Sequence, residues 1–358
     1  MEILWYAILL AVVCIYFVLD GYDFGAGIIH LFFANTEEEK KLVAKSAGLF
    51  WDFNEVWLVV AGGLLFMAFP VYYASVFSGF YLPLMILLWL MIFRAIGIEL
   101  RHQFNNEVWK NFWDKSFGIS SLLLTVFCGA ALGNIVRGVN MGQPLTNGKS
   151  AFEEHYFFLP LWNDQFSPLE SNVGVLDWFT VLIGILGFLI LSIHGANWII
   201  LKTNSTLKPK LKNYIFYGNC AVAVLLIVSL IAWGKINGEI FRIFSQHFAM
   251  FIFPLLFAVG FIAQFWVKKF KNETYGFLCS SAMIVGGITT SFVSMFPVIL
   301  PSNNQIFPSL TIYNTSTTAY GLSVAIIWMV FATVLAILYF MVQKRILSGK
   351  IDDIEQAH

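Results

Sequence analysis

Charge is scarce in this sequence. Asp, Glu, Lys and Arg make up 12% of its 358 residues, about half the share usual in a soluble domain. The signs cancel, with 21 basic and 21 acidic residues, so the basic footprint that a nucleic-acid partner demands is missing. Cysteine is equally sparse. Cys14, Cys128, Cys220 and Cys279 each stand alone in or beside an apolar run, with no CxxC pair, so neither a disulfide framework nor a metal site is expected. Of six histidines, no two share a helix face inside an apolar run, and no haem ligand is expected in this chain. A positive leader and a small-residue cleavage site are also missing, with Glu2 near the start. The first apolar run is therefore expected to be retained.

Apolar residues are plentiful: 59% of the chain, with a mean hydropathy of +0.76. This composition predicts an all-α integral membrane protein. A crossing helix needs about 20 apolar residues. Nine runs qualify, near 5–33, 52–70, 72–93, 116–136, 176–200, 214–233, 247–267, 277–300 and 321–342. The second is short, and the second and third can also be read as one hairpin broken around Pro70. With nine crossings, all basic residues fall in one set of loops except Arg137, Lys149, Lys235 and Arg242. Because basic loops stay cytoplasmic, this predicts N-terminus out and C-terminus in. Residues 1–342 form one polytopic domain, with an irregular external loop at about 137–175. Residues 343–358 form a cytoplasmic tail.

The few charges inside apolar runs are the candidates for chemistry. "WYAILLAVVCIYFVLDGYDFGAGIIHLFF" carries Asp20 and Asp23 near its middle. A carboxylate at a helix centre costs about 2.5–3.5 kcal/mol. The two lie three residues apart on one helix face, which Gly27 continues. Gly21 and Gly25 allow another helix to come close. Either a packing network or a proton, ion or polar-cofactor path accounts for the pair. "GLFWDFNEVWLVVAGG" adds Asp52, Asn54, Glu55 and Trp57. Asp52 and Glu55 have capping-box spacing, yet burial among aromatic rings would also suit them to hold protons. "FRAIGIELRHQ" adds Arg94, Glu99 and Arg101. Arg94 either snorkels to the interface or reaches inward to Asp20 or Asp23. On residues alone, a secondary transporter with helix breaks near Gly62, Gly63, Pro70 and Pro83 remains open, as does a membrane scaffold.

"LDGYDFGAG" and "FWDFNEVWLVVAGG" resemble subunit II of the cytochrome bd-type quinol oxidases. The resemblance continues through "AFPVYYASVFSGFYLPL", "FRAIGIELR", "GAALGNIVRGV", "MFPVILPS" and "SLTIYNTSTTAYGL". It implies nine membrane helices, arranged as two four-helix bundles plus one extra helix. It implies a partner, subunit I, carrying haems b and d and the quinol site, and in some members a small single-helix subunit. No cofactor would be bound by this chain except a structural quinone or lipid. The complex would sit in a bacterial or archaeal plasma membrane, oxidise quinol, reduce oxygen to water and build a proton gradient. Asp52 stands at the acidic position of a proton-uptake path, Asp20 and Asp23 match an acidic pair, and Trp57 matches a residue near an oxygen channel. Arg94, Glu99 and Arg101 match a charged motif. Phe53, Glu55 and His194 depart from residues found in some members, and a bulky Phe53 would narrow any path past Asp52.

Overall fold

The computed structural model describes residues 1–142, 153–170, 173–238, 242–303, 307–346 and 349–351. Parts of the expected external loop and most of the expected tail lie outside them. Helices dominate. They are α1 (Glu2–Phe32), α2 (Glu37–Gly48), α3 (Trp51–Ala68), α4 (Pro70–Gly79), α5 (Tyr81–Leu100) and α6 (Glu107–Arg137). After the loop come α7 (Trp178–Lys202), α8 (Lys208–Ile236), α9 (Arg242–Gln246), α10 (Ile252–Gln264), α11 (Thr274–Met295) and α12 (Ala319–Ile346). Among the described residues, eight segments are long and apolar enough to cross a membrane. Phe248–Gln264, where a run near 247–267 was expected, is a shorter apolar helix. The protein is thus an all-α membrane protein in its main lines.

Local chemistry places several helix ends. Thr36 and Glu39 close a reciprocal capping box on α2, each side chain bonding the other's backbone N–H at 3.2 Å. The Asn106 side chain caps α6. Pro70 opens α4, at the one helix position where a missing N–H is harmless. It breaks the apolar run as the sequence suggested. Gly62 and Gly63, by contrast, sit inside unbroken α3 with nothing within 4 Å of an added Cβ. They are therefore not helix breaks.

α1 is the central helix, packed against α7, α6 and α3. Its approach to α7 is backbone on backbone. A Cβ on Gly195 would lie 2.3 Å from the Gly25 carbonyl carbon, and one on Gly25 would lie 2.3 Å from the Leu191 carbonyl oxygen. The close approach expected from Gly21 and Gly25 is real, and Gly25 is its centre. α6 and α7 meet the same way at Gly129 and Gly184.

At one end, the chain after α6 and the chain after α11 form a joint cap. Strands β1 (Val298–Leu300) and β2 (Leu310–Thr311) pair antiparallel, and Val139 bridges to Ser302. Met141, Phe157, Leu159 and Val173 from the loop join Trp5, Phe69, Leu300 and Leu310 in one apolar cluster. The loop was expected to be irregular, and its described parts contain no helix. Those parts nevertheless pack as a layer.

Candidate functional site

Mid-way along α1, Asp20 and Asp23 are fully buried, as is Arg94 from α5. Arg94 Nη1 donates to Asp20 Oδ1 at 2.5 Å. Its Nη2 donates to Glu55 on α3, and its guanidinium lies 4.7 Å from the Phe24 ring centre. The inward reach of Arg94 is therefore the correct one of the two readings, and the snorkelling alternative falls. Asn54 Nδ2 donates to Asp23 Oδ2 at 2.7 Å and to the Tyr22 hydroxyl at 2.8 Å. Three acids, a shared arginine and an amide thus tie α1, α3 and α5 together. Glu55 keeps 26% of its side chain exposed, so the cluster runs from the protein surface to its interior.

The capping-box reading of Asp52 and Glu55 is wrong. Phe50 is the N-cap of α3, with no side-chain cap bond. The helix starts too early for Asp52 to cap it, and Glu55 turns to Arg94 instead. Asp52 is exposed, one turn before Glu55. Trp57 is half-buried, packed on the apolar clusters around Tyr16 and Tyr72, with its ring 5.7 Å from that of Phe340. Glu99 is exposed and accepts from the Trp51 indole N–H at 3.2 Å.

Arg101 belongs elsewhere. It is buried near the end of α1 away from the cap, where its Nε donates to Asp114 Oδ1 at 2.5 Å and its Nη2 to Glu37 at 3.0 Å. His30 Nε2 lies 2.9 Å from the same Asp114 oxygen, and Lys40 lies 3.4 Å from the other. Because a carboxylate only accepts, Nε2 carries the proton of this bond. Sequence reasoning missed Asp114. Its neighbours read as a charged loop, and only the antiparallel packing of α1 on α6 brings it to His30.

A third network was also missed, at the cap end. Arg137 and Asp177 pair with both side chains fully buried. Arg137 also donates to the carbonyls of Gly174 at 2.9 Å and Gly138 at 3.1 Å, and to Asn134 Oδ1 at 2.7 Å. Asp177 Oδ1 caps α7 by accepting from the N–H groups of Phe179 and Thr180.

Two buried histidines of the membrane interior are already engaged. His194 is buried with Nε2 donating to the Val18 carbonyl and Nδ1 bonded to Ser280, both at 2.8 Å, so neither nitrogen is open to iron. Nε2 of His30 is held by Asp114. No three His, Cys, Asp or Glu side chains converge among the described residues.

Comparison with known proteins places the chain in a family. The family model described as "Cytochrome bd terminal oxidase subunit II" matches residues 1–347. A probable cytochrome oxidase subunit 2 of Haemophilus influenzae is 25% identical, covering 98% of this chain and 95% of its own length. The cytochrome bd-I ubiquinol oxidase subunit 2 of Escherichia coli K12 is 25% identical over 90% of this chain and 88% of its own. The cytochrome bd ubiquinol oxidase subunit 2 of Bacillus subtilis is 26% identical, covering 96% and 94%. A chain in the structure of bd oxidase from Geobacillus thermodenitrificans shares the fold, with a TM-score of 0.67 over 98% of this chain and 99% of that one at 18% identity. The secondary-transporter reading gains no support from these relatives, and the intact α3 removes part of its basis. The chain belongs to the cytochrome bd terminal oxidase subunit II family.

Proposed function

We propose that this chain serves as the non-haem subunit of a membrane quinol oxidase and carries protons toward the site of oxygen reduction. The complex oxidises two quinols per oxygen molecule and releases two quinones and two waters, so four protons must reach the oxygen. The observation that carries the proposal is Arg94, fully buried and shared between interior Asp20 and partly exposed Glu55. Intramembrane ionisable groups in such a setting mark proton routes. Asp52 gathers protons at the surface. Glu55 takes one up and loosens its hold on Arg94, which stays paired with Asp20. The Asn54–Asp23 pair receives the proton next and passes it toward the partner subunit. Trp57 and Glu99 flank this route, and Arg101 anchors its neighbouring helices.

The oxidase family brings haems b and d to the complex. We place them in subunit I, with the quinol site. A small single-helix subunit and a structural quinone or lipid complete the assembly. The site is the plasma membrane of a bacterium, and the chain is multi-pass. We assign nine crossings, with Phe248–Gln264 as the seventh, the cap outside and the C-terminus inside. Seventeen residues span about 25 Å as a helix, which suffices for a thinned bilayer. Two four-helix bundles plus one extra helix fit this count. α12, only 6% buried over its apolar window, is the extra one.

The test uses the whole complex with Glu55→Gln. Oxygen reduction per haem should fall about tenfold or more, with haem per chain unchanged. Loss of haem with unchanged turnover per remaining haem would replace the relay with an assembly role.

A further inference from the structure

We propose that the seam between α1 and α6 carries a second proton path, running from His30 through Ser121 to Asp23; this rests on the relay reading above. Asp20, Asp23, Gly27 and His30 follow one another at helical spacing along one face of α1. On antiparallel α6, Asp114 meets His30, and Ser121 meets Gly27 so closely that a Cβ there would lie 2.1 Å from Ser121 Oγ. The missing side chain of Gly27 is what admits the hydroxyl to the middle of this face.

The polar atoms along this face share one property. His30 Nδ1, Ser121 Oγ and Asp23 Oδ1 are buried and have no hydrogen-bond partner. They occur in order along the seam. Most buried polar atoms are paired, and one that is not calls for an ordered water or a functional reason. Three in a row between a surface cluster and an interior carboxylate call for a common one. At 1.5 Å rise per residue, the axial steps are about 4.5 Å from His30 to Gly27 and about 6 Å from Gly27 to Asp23. Each is a span that a single bridging water covers.

The step conserves charge and breaks only bonds to hydrogen. His30, its Nε2–H held by Asp114, gains a proton at Nδ1 from a hydronium ion, which is left as water, and becomes an imidazolium. That same proton leaves Nδ1, and the Ser121 hydroxyl accepts one proton as it releases another. Asp23 Oδ1 receives the proton and becomes neutral, and His30 returns to its starting tautomer. Arg101, Lys40 and Glu37 are the other charged groups around Asp114. Glu37, with 62% of its side chain exposed, opens this end to solvent. Arg94, Asp20 and Glu55 face the Asp23 end through the cluster already described.

Ser121→Ala is the discriminating variant, because it removes an unpaired hydroxyl and needs no space. In the intact complex carrying Glu55→Gln, where the seam is the route left, haem per chain should stay constant and adding Ser121→Ala should lower the remaining oxygen-reduction rate per haem about tenfold further, with a larger solvent deuterium isotope effect. His30→Gln should do the same. No further loss of rate from either added substitution, with Glu55→Gln itself slow, overturns the second path and leaves the first standing. Normal rates in all three variants remove both. A rate loss that only tracks haem loss assigns the seam to packing and also overturns the path.

Discussion

Two buried arginines in this chain have opposite surroundings. Arg137, at the cap, gives every side-chain nitrogen to an acceptor: Asp177, Asn134 and two backbone carbonyls. Asp177 in turn holds the first turn of α7. Arg94, in mid-helix, leaves Nε without an acceptor, and nearby Asp23 Oδ1 has no donor. A saturated network has one low-energy arrangement and fixes a structure. An incomplete one can exchange partners, and a group that must take and lose protons needs that freedom. The two arginines therefore serve different purposes, although each is buried against a carboxylate.

The largest expected effect is on the saturated side. Arg137→Ala leaves Asp177 buried and unpaired, and the complex should lose about 3–5 kcal/mol of stability, read as a lower unfolding temperature with normal turnover per surviving haem. A normal unfolding temperature with slow turnover would erase the contrast between the two arginines. Next comes the helix crossing. Gly195→Ala drives a methyl into the Gly25 backbone and should cost about 1–3 kcal/mol. Gly62→Ala, with open space around it, should stay within about 0.5 kcal/mol. Asp52→Asn sharpens the incomplete side. Because Asp52 is exposed and outside the hydrogen-bonded cluster, it should slow oxygen reduction less than Glu55→Gln does.

The smallest effect lies at the tail. Lys350 Nζ bonds the Thr203 carbonyl, Asn204 and Glu273 at 3.4, 2.8 and 3.1 Å, and Ile351 is fully buried. Residues 349–351, the described part of the expected tail beyond α12, are thus docked. Burial pushes the Glu273 carboxyl up, but hydrogen bonds from Lys208 and Lys350 outweigh this and hold it below its ordinary value of 4.5. A depressed carboxyl contributes stability above its unfolded value and loses it as pH falls through the folded one. Cleavage of the tail by an acid-stable protease should therefore rise only below about pH 4.5. Glu273→Gln should make it independent of pH there.

Much of this was legible in the sequence. Carboxylates inside an apolar run demand a partner, and Arg94 was the nearest cation able to supply one. Small residues on α1 announced a close crossing. The rest depends on contacts between distant segments. Glu55 follows the capping-box rule locally, but a buried arginine outcompetes a helix end that water can satisfy. Asp114, Arg137 and Asp177 lie at the ends of helices, where charge is ordinary. Nothing local distinguishes them from solvated loop residues. The cap was illegible for the same reason, since its strands are too short to show a period and its apolar residues are scattered over two connections.

α12 is held mainly at its extremities. Near its start, Leu322 is buried and its carbonyl accepts the Trp5 indole N–H. Past its end, Lys202 donates to the Gly349 carbonyl. Between them it meets α3 through ring contacts at Tyr339 and Phe340. The consequence is one of sequence in time. α12 leaves the ribosome after the other helices named above, and the Asp20–Glu55–Arg94 cluster is complete without it. The charged interior can close while α12 is still being made, and α12 then docks along the side of helices that are already in place.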